Sequence, residues 1–129
     1  KREYNRQRKE GDTMQLLILI LKQVGLIEDL LRKLAENNLN GCTIIDGHGM
    51  GEALAEMEDL PMFGALRAMM STNNKQQTKI LLMAVKDDQI VRTTNVIKSV
   101  VGDLSKPNTG IMLSVPVYYC EGLMNDECK

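Results

Sequence analysis

Two strand–helix–strand units, one in each half of a 129-residue chain, predict an α+β domain. Three features carry that expectation. Apolar runs at 15–21 and 79–85 are too short for globular helices, each is followed by a helical apolar stripe, and an excursion of about thirty residues, 47–77, separates the halves. Two such halves back to back make a ferredoxin-like βαββαβ sandwich, a four-stranded antiparallel sheet with both helices on one face and a long loop between strands two and three.

The elements follow in order. The run "QLLILIL" at 15–21 is apolar at both odd and even positions, which suits a central strand covered on each side. After Gly25, the residues Leu26, Ile27, Leu30, Leu31 and Leu34 recur at helical spacing, and Glu28 to Arg32 and Asp29 to Lys33 are acid-first i,i+4 pairs on the opposite face. Asn37, Asn38 and Gly41 tolerate left-handed backbone and end this helix, and "CTIID" at 42–46 reads as the second strand. In the second half "KILLMAV" is a buried strand, and Asp87 or Asp88 is placed to cap a helix whose stripe is Ile90, Thr94, Ile97 and Val101. Gly102 closes that helix, "DLSKPNT" makes a turn, and "GIMLSVPV" forms the fourth strand, where Pro116 marks an edge position or the strand's end.

Both faces of the first strand are apolar, and two helices can cover only one of them. An oligomer that buries the second face is therefore expected. Within the excursion, "EALAEMEDL" can make a short helix and "ALRAMM" another turn. Five of the nine methionines fall there, at Met50, Met57, Met62, Met69 and Met70, as a partner-facing patch or as packing onto a neighbouring subunit.

Composition excludes several function classes. A net charge of −1, no Trp and a single Phe supply neither the field nor the stacking platforms of a nucleic-acid binder. The longest apolar run, at 16–21, is far below the roughly 20 residues of a membrane span, so a cytoplasmic protein is expected. Cys42, Cys120 and Cys128 are odd in number and widely spaced, matching neither a disulfide framework nor a zinc site, with Cys42 expected to be buried. The first thirteen residues hold five Lys/Arg against three Asp/Glu and read as a solvated basic tail. Met14 opens the first strand, so that tail could precede the natural start. Residues 14–124 read as one domain and 125–129 as a C-terminal tail.

The stretch "IIDGHGMGEAL" holds three glycines and the only histidine behind a β-branched run. It lacks a Gly-Lys-Ser/Thr ending and dinucleotide-fold spacing, so the glycines read either as a tight strand exit or as the floor of a ligand cleft. His48 near Asp46 is either a solvated loop residue or half of an acid–base or metal pair. No Ser-His-Asp arrangement can be completed without His48, and no catalytic residue is assigned. "DLSKPNTG" is either a plain helix-to-strand turn or an anion-holding loop using Lys106.

From residue 14 to residue 123 the chain resembles the PII-like signalling superfamily, the nitrogen-regulatory PII proteins and their relatives. "NGCTIIDGHGMG" is similar to the family's second strand running into its long T-loop, "MAVKDDQIVRTTNVIKSVVGD" to the third strand and second helix, and "TGIMLSVPVYYCEGL" to the fourth strand with its Val-Pro-Val ending. The resemblance implies a homotrimer whose sheets line a central core. It also implies clefts between subunits for a small-molecule effector, usually an adenine nucleotide, and a loop at 47–77 that signals to a protein partner. By position it assigns Thr43 to the nucleobase and Gly47, His48, Gly49, Met50 and Gly51 to the loop base, with Lys106 and Gly110 in the phosphate loop.

The match has departures. Met50 stands where an aromatic residue is usual, Glu52 and Ala53 replace an Arg-Gln pair, Gly110 falls at a lysine, and the arginines after the fourth strand have no counterpart. A triphosphate needs charge-assisted donors to offset its desolvation, so standard ATP binding is not expected from these residues. No tyrosine lies within 47–77, which removes the family's uridylylation site. Two other readings stand beside this one: a metal- or redox-responsive trimer of the copper-tolerance (CutA-like) type, with His48, Asp46 or the cysteines as ligands, and a structural interaction module with no ligand.

Overall fold

The computed structural model describes residues 13–57 and 78–123. In chain order these form β1 (Met14–Leu21), a 3-10 turn (Val24–Leu26), α1 (Ile27–Glu36), β2 (Cys42–Gly47), α2 (Met50–Glu56), β3 (Thr78–Lys86), a second 3-10 turn (Asp87–Gln89), α3 (Ile90–Val101) and β4 (Gly110–Val117). The strands make one sheet in the order β2-β3-β1-β4 with every neighbouring pair antiparallel. Each strand–helix–strand half is thus split by a strand of the other, as the ferredoxin-like prediction requires.

The two-residue period of β1 divides the sheet into two apolar layers. Leu17, Leu19 and Leu21 are buried, and they join Leu81, Met83 and Val85 of β3 against Leu30 and Leu34 of α1 and Ile97 and Val101 of α3. On the other layer, Ile20 lies between Ile80 and Ile111, Ile18 between Leu82 and Leu113, and Leu16 between Ala84 and Val115. No described helix covers this second layer. Its outer members Ile45, Ile111, Leu113 and Val115 remain between 40% and 51% exposed, which matches the spare apolar face expected from the sequence.

The structure corrects several local expectations. On α1, Arg32 pairs with Asp29 at 3.4 Å, one turn back at i,i+3, in place of the acid-first i,i+4 pairs. On α3 the buried positions are Thr93, Ile97 and Val101, with Thr94 half-buried. Thr93 can be buried because its hydroxyl donates to the Gln89 carbonyl at 2.7 Å, satisfying the one polar group it carries inward. Cys42 is half-buried, at the edge of the sheet on the helix side, and burial pushes its thiol pKa up. The helix expected from residue 52 begins earlier, at Met50, and the second turn expected at "ALRAMM" lies outside the described residues.

Asp87 does not cap α3 with its side chain. Its carboxylate instead accepts from the Thr13 hydroxyl and from the Gln15 amide at 3.0 Å, while its own N–H donates to the Thr13 carbonyl at 3.0 Å. This clasp ties the start of β1 to the junction of β3 and α3. The two side-chain bonds, Thr13 first and Gln15 second, hold the carboxyl below the ordinary carboxylate value. Elsewhere the local expectations hold. Asn38 and Gly41 take positive φ after α1, Gly102 ends α3 at φ 84°, and Pro116 sits one residue from the end of β4, an edge strand.

Two predictions follow from this packing. Leu19→Ala empties a fully buried site and costs about 2–5 kcal/mol in urea denaturation, whereas Val91→Ala on the exposed side of α3 changes stability by less than about 0.5 kcal/mol. Because the Asp87 carboxyl titrates below its unfolded value of 3.8, the ionised clasp contributes fully above that pH and is lost as pH falls through the lower folded value. Asp87→Asn therefore lowers the urea midpoint at neutral pH, and the gap to wild type closes below about pH 4.

Candidate functional site

Apart from Thr43, which lies level with Leu82 in the middle of the sheet, the sequence-assigned residues fall at one end of the sheet, on its two opposite edges. At the first edge, β2 is an outer strand bonded only to β3. Thr43 faces Leu82 on the uncovered layer and is exposed. Asp46 stands directly across from Lys79, and the two form an ion pair. The strand persists through Gly47, which is paired with Thr78. A Cβ on Gly47 would meet Ile80 Cδ1 at 2.9 Å, the far end of a side chain that can turn away.

Beyond Gly47 the chain enters α2. Gly49 is the N-cap in ordinary extended backbone, and nothing lies within 4 Å of where its Cβ would be. Neither handedness nor crowding demands glycine there. Met50 is exposed and Gly51 partly buried in the first turn. His48 Nδ1 lies 3.6 Å from Glu52 Oε1, one helical turn on, so His48 and Asp46 are committed to different partners. Among the described residues no three His, Cys, Asp or Glu side chains converge as a metal site.

At the second edge, the loop joining α3 to β4 is closed by its own hydrogen bonds. Asp103 Oδ1 accepts from the Ser105 hydroxyl at 2.7 Å and the Ser105 N–H at 2.9 Å, which holds the Asp103 carboxyl below its ordinary range. The Lys106 N–H donates to the Asp103 carbonyl at 3.2 Å, and the buried Thr109 hydroxyl donates to the Lys106 carbonyl at 2.8 Å. The Lys106 side chain points into solvent. Gly110 then begins β4 at φ 152°, where a Cβ would sit 2.4 Å from the Ile20 carbonyl oxygen. This glycine is required by the close approach of two backbones. Asn108 also takes positive φ in this turn.

Asp46, Lys79, Leu21 and Gly110 form one row across the sheet. Three interstrand spacings separate its ends, roughly 14 Å. One protomer therefore places Gly47, His48, Gly49, Met50 and Gly51 at the end of one edge strand, with Thr43 four residues back along it, and leaves Lys106 and Gly110 on the other edge.

The structure of Arabidopsis thaliana PII bound to citrate superimposes with a TM-score of 0.58 over 86% of this chain and 83% of that one, at 18% identity. The fold is that of the PII proteins. A Bacillus subtilis GlnK–ATP complex gives a TM-score of 0.58 at 15% identity, over 85% of this chain and 86% of the other. A protein of unknown function from Pediococcus pentosaceus gives 0.56 at 11% identity, over 86% and 98%. No protein-family model and no curated protein sequence matches the chain.

Sequence reasoning read the strand that precedes the 47–51 stretch but did not foresee the pairing of Lys79 with Asp46. β3 carries a lysine toward each end, Lys79 and Lys86, and Lys79 meets an acid only in the register that β2 and β3 adopt. Glu52 was read as a lost cationic contact, and the structure makes it the partner of His48. The two glycines at the ends of the site should respond differently to substitution. Gly110→Ala forces a backbone shift and costs about 1–3 kcal/mol in urea denaturation, while Gly49→Ala meets no clash and costs only the N-cap preference, about 0.5–1 kcal/mol.

Proposed function

We propose that the chain is a PII-like regulatory protein. In this reading three copies assemble with their uncovered sheet faces inward. A small anionic or adenine-nucleotide-like effector binds in clefts between subunits, and its occupancy is passed to a protein partner through the 47–77 segment. Residues 14–124 act as one domain in the cytoplasm, 1–13 and 125–129 are its tails, and no reaction is assigned.

One observation carries the reading: a continuous aliphatic sheet face, with Ile45, Ile111, Leu113 and Val115 40–51% exposed, lies opposite the helix-covered layer. Burying that face against sister copies removes it from water. Such packing would also set the β4 edge of one copy beside the β2 edge of its neighbour, uniting residues that one protomer keeps apart. The similar A. thaliana structure holds citrate and the B. subtilis one ATP, both small anions, and that chemistry is carried here as part of the proposal. Signalling then needs no bond-making. The effector binds one arrangement of the loop base better than another, and the partner reads the shift in population.

Light scattering at micromolar concentration should return three times the protomer mass, and Leu113→Asp should release protomers by placing a charge in the buried face. A single protomer from the wild-type chain would overturn the assembly. Calorimetry with ATP, ADP, AMP, cyclic dinucleotides and 2-oxoglutarate tests the effector, and no heat from any of them at saturation would remove it.

A further inference from the structure

We draw no further inference here: the strongest candidate, the solvent-open groove between α1 and α3 lined by Lys33, Asn37, Asp88, Val91, Arg92 and Asn95, mixes exposed charges of both signs, has Arg92 already donating to the Asn37 carbonyl, and nothing in the structure shows what covers it.

Discussion

The structure depends on a strand that is apolar on both sides. β1 alternates Leu17, Leu19 and Leu21 with Leu16, Ile18 and Ile20, and a sheet has only two faces to offer. Helices α1 and α3 cover the first set. The second set is flanked in register by β3 and β4 residues of the same character, so the uncovered face is continuous across the sheet. Hydrophobic burial is proportional to the area removed from water, and an aliphatic face of this kind is more stable covered than wet.

That constraint shapes the edges as well as the middle. Because β1 and β3 occupy the centre, β2 and β4 are left as outer strands, and both of the chain's glycine-rich junctions emerge at the same end of the sheet on opposite sides. The junctions differ in their physics. Gly110 is glycine because a backbone carbonyl occupies the place of a side chain. Gly49 has open space and ordinary backbone angles, so its bareness leaves main-chain groups accessible and serves no steric need of the fold.

Charge is distributed with similar economy. Asp46 pairs with Lys79 at the β2 exit, His48 Nδ1 lies beside Glu52, Asp103 folds back on Ser105, and Asp87 gathers Thr13 and Gln15. Exposed pairs of this kind contribute little to stability, since solvent screens them.

Periodicity alone was enough to determine the order of elements, the double apolar character of β1, the α1 stripe and most of the turn residues, because these depend on neighbours a few positions apart. Gly102, Asn38 and Pro116 could be interpreted correctly for the same reason. What the sequence left open depended on partners far along the chain. Thr93 took the core position expected of Thr94 because the packed helix turns that side of α3 toward the sheet, and Asp87 left its capping position for Thr13 and Gln15, more than seventy residues away. Lys79 and Asp46 became a pair, and the two halves of the candidate site came to opposite edges, through strand register and strand order. Those are set by long-range hydrogen bonding, and only the tertiary structure decided them.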